Sequence, residues 1–181
     1  STVFTLDLGD KFDTSNVTTS MKYMFSECGY NSKVFTLNLG GMFDTSKVPD
    51  MTYMFYKCGY SSTVFTLDLG DKFNTSNVTN MSHMFEKCGT LTLDLGDSFD
   101  TSKVTNMSYM FCYCDGSSVF TLDLGGKFDT SNVTNMSHMF ENCGYYGTGF
   151  TLDLGDKFDT SNVTDMSGMF DGCGYRSTVF T

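Results

Sequence analysis

The sequence predicts an α/β solenoid of six stacked rungs, each made of one short strand plus one short helix. Three observations carry that expectation. The string T-L-[DN]-L-G recurs through the 181 residues with its first Leu at Leu6, Leu37, Leu67, Leu93, Leu122 and Leu152, giving successive periods of 31, 30, 26, 29 and 30. Repeats of this length build solenoids and arrays. Within each unit the spacing of apolar residues changes once, from alternation to a helix-like pattern. Finally, a unit of some thirty residues buries too little apolar surface to offset the entropy of ordering it, so the units must stack on one another.

The strand comes first in each unit. In Phe65-Thr66-Leu67-Asp68-Leu69 apolar and polar residues alternate, and Gly70 ends the run, as at the end of a half-buried strand. Downstream, Met81, Met84, Phe85 and Cys88 fall at i, i+3, i+4 and i+7, one face of a helix. The position before the first Met is Ser20, Asp50, Asn80, Asn106, Asn135 or Asp165, all good N-cap residues. Gly29, Gly59, Gly89, Gly144 and Gly174 follow the Cys, where a helix C-terminus favours a left-handed residue, with Asp115 the exception. A helix of about eight residues does not persist alone, so packing between rungs must hold it. The whole chain, 1–181, then reads as one solenoid with rungs at about 5–35, 36–65, 66–91, 92–120, 121–150 and 151–181.

The unit reads L-x-L-G-x-x-F-[DN]-T-S-x-V-x-x-M-x-x-M-F-x-x-C, as in Phe158 to Thr164 followed by Met169 to Cys173. This order resembles the leucine-rich repeat, and more closely the BspA-like repeats of microbial surface proteins. The resemblance covers all six units. It implies a right-handed leucine-rich-repeat-like solenoid, secreted or displayed on a cell surface for adhesion or display, and not an enzyme.

Composition narrows the partners. Lys plus Arg number 11 against 21 Asp plus Glu, a net charge of −10, the wrong sign for phosphate backbones or anionic lipid. The apolar runs are all far shorter than a membrane-spanning helix needs. The expected partner is therefore a protein, a glycan or a second copy, with neither nucleic acid nor membrane insertion.

Several columns carry side chains with chemistry of their own. Cys28, Cys58, Cys88, Cys114, Cys143 and Cys173 form a ladder, with Cys112 extra; it reads either as a file of buried thiols or as disulfides between neighbouring rungs, about 4.8 Å apart. No C-x-x-C pair or nearby His supports zinc. His83 and His138 share a column with Tyr23, Tyr53, Tyr109 and Gly168 and read as exposed helix-face residues two rungs apart.

Asp recurs on the strand (Asp7, Asp68, Asp94, Asp123, Asp153), after the Gly (Asp10, Asp71, Asp97, Asp156) and after the Phe (Asp13, Asp44, Asp100, Asp129, Asp159). Turn-forming Asp is the first reading; calcium between rungs is the alternative, and no other cofactor is expected. Two Thr files, Thr14, Thr45, Thr75, Thr101, Thr130, Thr160 and Thr18, Thr79, Thr105, Thr134, Thr164, either satisfy backbone groups or present an ice-binding surface.

Insertions between Cys and the next strand project from one side of a solenoid, where partners bind. They carry Tyr30, Tyr60, Tyr145, Tyr146 and Tyr175, the candidate interaction surface. Ser1-Thr2-Val3-Phe4-Thr5 and Ser177-Thr178-Val179-Phe180-Thr181 stand at the same phase of the repeat, which suggests a segment of a longer array or copies stacking head to tail. The sequence thus predicts a non-enzymatic extracellular or cell-surface module for adhesion, display or fibre assembly. The alternative is a ligand-binding solenoid using the Thr files or Asp columns.

Overall fold

The computed structural model describes residues 2–89, 91, 92, 95, 99–114 and 119–180. Leu93, Asp94, Asp97 and Asp115, named above, lie outside the described residues, as do the chain-end residues Ser1 and Thr181. The chain is a β-solenoid. Its strands are β1 (Val3–Asp7), β2 (Val34–Asn38), β3 (Val64–Asp68), β4 (Leu91–Thr92), β5 (Val119–Asp123), β6 (Gly149–Asp153) and β7 (Val179–Phe180). They form two parallel sheets, β1-β2-β3-β4 and β5-β6-β7.

Pairing is in register, Phe35 against Phe65 and Leu37 against Leu67, so the alternation of V-F-T-L-D sends the same columns inward, with Phe35, Leu37, Phe65, Leu67, Phe120 and Leu122 buried. The five strands of five residues stop for a local reason. The Oδ1 of Asp7, Asn38, Asp68, Asp123 or Asp153 accepts the N–H two residues on, at 2.9–3.0 Å, and the Gly there turns the chain.

The predicted helices are absent, and with them both the α/β class and the leucine-rich-repeat-like rung. Among the described residues the one helical element is a 3₁₀ turn at Gly9–Lys11. The segments expected to be helical are arcs of consecutive turns: arc 1 (21–32), arc 2 (51–62), arc 3 (81–89), arc 4 (107–114), arc 5 (136–147) and arc 6 (166–177). In arc 1 the N–H groups of Met24, Ser26 and Cys28 donate three residues back, to Met21, Tyr23 and Phe25. Those of Met21, Tyr23, Phe25 and Glu27 leave the arc and donate to Asp50, Thr52, Met54 and Tyr56 of the next rung, at 3.1, 3.3, 2.9 and 2.7 Å.

An α-helix would keep those donors within itself. Tyr23, Glu27 and Asn31 have φ of 58°, 60° and 60°, left-handed residues spaced four apart. The expected N-caps are also reassigned: Asp50 and Asn80 accept the Thr52 and Ser82 N–H at 3.0 Å, while their backbones form parallel bridges running Asp50↔Asn80↔Asn106↔Asn135↔Asp165. These are Asx-turns joining rungs, with no helix behind them.

The core is a set of vertical files. Met51, Met81, Met107 and Met136, and the Phe55, Phe85, Phe111 and Phe140 beside them, are buried. The Phe file stacks nearly parallel from Phe25 to Phe170, with neighbouring ring centroids 5.3–5.8 Å apart. Burial lapses at the ends, where Met24, Met166 and Phe170 are exposed.

Candidate functional site

All ten tyrosines, both histidines and the three glutamates of the chain lie in the arcs and the residues that follow them. The turns that replace a helix send Met51, Met54, Phe55 and Cys58 inward and leave Tyr53, Tyr56 and Lys57 partly exposed. Met, Phe and Cys enter the core, and Tyr, His, Glu and Lys line the outside. One outward file is a continuous ring stack, Tyr23–Tyr53–His83–Tyr109–His138, with centroids 4.7, 4.2, 4.7 and 4.6 Å apart and planes within 12°.

His83 and His138 are therefore half-buried members of a stack, and not exposed helix-face residues. Each has a carboxylate beside it: Nδ1 lies 2.6 Å from Glu86 Oε2 and 2.8 Å from Glu141 Oε2, respectively. The two rungs that carry His are the two whose next outward position is Glu in the same register.

Further along the arcs lie the predicted tyrosines, which form two groups. Tyr30 stacks on Tyr60 at 5.2 Å, and Tyr145 on Tyr175 at 5.0 Å, with Tyr146 set edge-on to Tyr145. Arg176 covers the Tyr146 ring at 5.1 Å. Between the stack and these groups stands Tyr56, perpendicular to Tyr53, flanked by Lys57 and Lys87 at 5.1 and 6.0 Å; Lys87 also reaches Tyr113 at 5.4 Å. Both lysines hold glutamates, Glu27 and Glu86, at 3.2 Å, so the face is amphipathic and nearly charge-balanced.

Spacing arguments alone miss Tyr23, Tyr53, Tyr56, Tyr109 and Tyr113. The signal that finds them is the confinement of every Tyr to one part of the repeat.

The other columns have structural occupations. Thr14, Thr45, Thr75, Thr101 and Thr130 are buried, and each hydroxyl donates to a carbonyl of the next rung at 2.8 Å. The exposed file donates likewise, Thr79, Thr105, Thr134 and Thr164 to the rung before, at 3.0–3.2 Å. Among the described residues no group of three or more His, Cys, Asp or Glu is placed to hold a metal ion.

The Asp residues after the Phe are turn formers. Asp44, Asp100 and Asp129 accept the N–H of Ser46, Ser102 and Ser131 at 2.8–2.9 Å. Hydrogen bonds from those serines hold all three carboxyls below their usual range. The sign follows. A depressed folded pKa stabilises the fold above the unfolded value, about 3.9, and that contribution is lost as pH falls through the folded values. The urea midpoint is expected to hold from pH 7 to 5 and to drop below about pH 4. Asp129→Asn, which keeps the acceptor, should make the drop shallower.

All seven cysteines are free thiols, with Cys58, Cys88, Cys112, Cys114 and Cys143 buried and Cys28 and Cys173 half-buried. Burial pushes the Cys58 and Cys114 thiols well up, and that of Cys173 to about 12. Those three thiols are thus protonated at neutral pH.

The family described as "Mycoplasma protein of unknown function, DUF285" matches residues 1–70 and 60–178. Those matches take in nearly the whole chain, and the protein belongs to that family. No curated protein and no solved structure matches it.

Proposed function

From membership of a family whose role is unassigned, we propose that this protein is a non-enzymatic extracellular or cell-surface repeat module whose aromatic arc face serves in adhesion or display. The observation that carries the reading is the confinement of all ten tyrosines to one face of an otherwise uniform solenoid. Folding does not require it, since Tyr60, Tyr113, Tyr146 and Tyr175 remain exposed. Tyr offers a large amphipathic contact at low entropy cost, which is why it recurs at recognition surfaces.

The regular interior supports a scaffold role, because the rungs repeat the same residues and, among the described residues, no irregular cluster of nucleophile, base and orienting group interrupts them. The F-D-T-S-N-V-T and M-F-x-x-C strings supply the likeness to BspA-like surface repeats, and that likeness supports a surface location. The net charge of −10 favours neutral or basic partners over nucleic acid.

Beads coated with the 181-residue chain test this on glycan-coated and protein-coated surfaces. The triple variant Tyr60→Ser, Tyr113→Ser, Tyr146→Ser should retain the fold by circular dichroism and lose roughly 30-fold or more in binding, as when an aromatic anchor worth about 2 kcal/mol is removed. Undiminished binding by the triple variant, or no binding by the parent to either kind of surface, overturns the reading.

A further inference from the structure

We propose that Tyr30 and Tyr60 form a modification site, coupled ring to ring into a dityrosine that staples arc 1 to arc 2 when the folded chain meets hydrogen peroxide and a peroxidase. Among the described residues three pairs of tyrosines stack between neighbouring rungs, Tyr23–Tyr53, Tyr30–Tyr60 and Tyr145–Tyr175, and their surroundings differ. Both members of Tyr30–Tyr60 are exposed, at 45% and 37%, so an oxidant reaches both phenols. Tyr53 and Tyr145 are half-buried. Tyr53 is also closed in by His83 stacked on it and by Tyr56 edge-on, and Tyr145 by Tyr146 and Arg176. Among the described residues no second ring and no cation packs on Tyr30 or Tyr60.

The backbone holds these two rings in register. Each tyrosine N–H donates three residues back, Tyr30 to Glu27 at 3.2 Å and Tyr60 to Lys57 at 3.1 Å. The residue after each, Asn31 or Ser61, is left-handed, with φ of 60° and 65°. The rungs are tied together at this point, the Gly59 N–H donating to the Cys28 carbonyl at 2.8 Å and the Asn31 N–H to the Tyr60 carbonyl at 2.9 Å. The rings lie 5.2 Å apart and within 14° of parallel. Exposed side chains move between rotamers in picoseconds to nanoseconds, so the ring carbons can meet without the rungs parting.

The coupling consumes one peroxide. Hydrogen peroxide, acting through the peroxidase, takes one hydrogen atom from each phenol and is itself reduced to two waters. The unpaired electron of each phenoxyl radical spreads to the ring carbons beside the one that bears oxygen, and two such carbons, one from each ring, join. Each joined carbon then gives up its hydrogen as a proton and each phenolic oxygen takes one back. The protein loses two hydrogens and gains one carbon–carbon bond.

Neighbours held in place react at an effective concentration far above that of separate chains in dilute solution. The bond would fasten the first rung, whose β1 stands at the edge of its sheet, to the rung behind it. The coupling depends on the stack and not on what the arc face binds, so it is tested apart from adhesion.

The experiment treats the folded 181-residue chain, in dilute solution, with hydrogen peroxide and a haem peroxidase, isolates the monomer by size exclusion and maps its peptides by mass spectrometry. The same chain in concentrated urea, with its thiols alkylated, is the control. The expected result is a Tyr30–Tyr60 cross-linked peptide, lighter by two hydrogens, as the most abundant dityrosine, enriched roughly tenfold or more over the urea control. Tyr60→Phe, which keeps a stacking ring and lacks the phenol, should abolish it, and Tyr53→Phe should leave it intact. No dityrosine in the folded monomer, a greater yield at Tyr23–Tyr53 or Tyr145–Tyr175, or the same spread of pairs in urea as in the folded chain would each overturn the proposal.

Discussion

Phe85→Ala is expected to destabilise the fold by about 3–5 kcal/mol, the cost of deleting a fully buried aromatic side chain and leaving a cavity. Phe85 has no solvent exposure and sits at the middle of the ring file, 5.3 Å from Phe55 and 5.6 Å from Phe111, with Phe99 tilted against it at 6.5 Å. The loss therefore includes two stacking contacts as well as transferred area. A domain's whole stability is about 5–15 kcal/mol, so the change should move the thermal midpoint by roughly 10 °C.

The solenoid adds a second consequence. Each rung touches only its neighbours, so a hole at the centre weakens the coupling between the two halves. The unfolding transition of the variant should broaden as well as shift. Phe170→Ala supplies the contrast. Phe170 is 46% exposed and stacks only on Phe140, so about 1 kcal/mol is expected. Equal losses at the two positions, measured by urea or heat, would mean that the ring file does not hold the rungs together.

The strands were legible in the sequence and the arcs were not, for a physical reason. V-F-T-L-D alternates with a period that only a strand satisfies, and Val34–Asn38, Val64–Asp68 and Val119–Asp123 all form strands. Met, Met, Phe and Cys at i, i+3, i+4 and i+7 fit a helix of 3.6 residues per turn. They fit equally a run of turns that repeats every four residues, because seven residues are too few to separate the two periods. The capping column misleads in the same way, since an Asx-turn and a helix N-cap share their first side-chain-to-backbone hydrogen bond.

The discriminating signal was Gly168 and Gly172. Four apart in the last arc, with φ of 60° and 65°, they occupy the columns in which Tyr53 and Lys57 have φ of 59° and 53°. A helix interior disfavours two glycines there, whereas a left-handed turn position invites them. The same turn geometry explains why the candidate site was only half visible. The insertions point to five tyrosines. Tyr23, Tyr53 and Tyr109 instead fell on a supposed helix face, where stacking between rungs had no place.

Gly70→Ala is expected to cost roughly 3–4 kcal/mol, and the companion Gly9→Ala only about 1–2 kcal/mol. Both glycines are left-handed, with φ of 71° and 63°, so both replacements carry the conformational penalty of an L side chain. They differ in what the added carbon meets. At Gly70 it would press directly on the Gly40 carbonyl oxygen of the neighbouring rung, while at Gly9, on the first rung, none of the described residues lies within 4 Å.

Gly40 cannot readily withdraw, because its own N–H is held by Asn38 Oδ1 at 2.9 Å. Relief at Gly70 therefore requires neighbouring rungs to part. The arcs show the opposite case. Tyr53 and His83 tolerate the same backbone region because their side chains stack on the rungs above and below, recovering in ring contacts part of what the dihedral costs. Denaturation midpoints of the two Ala variants decide the matter. Should Gly70→Ala prove no more costly than Gly9→Ala, close approach of rungs at the strand exit is not what demands glycine there.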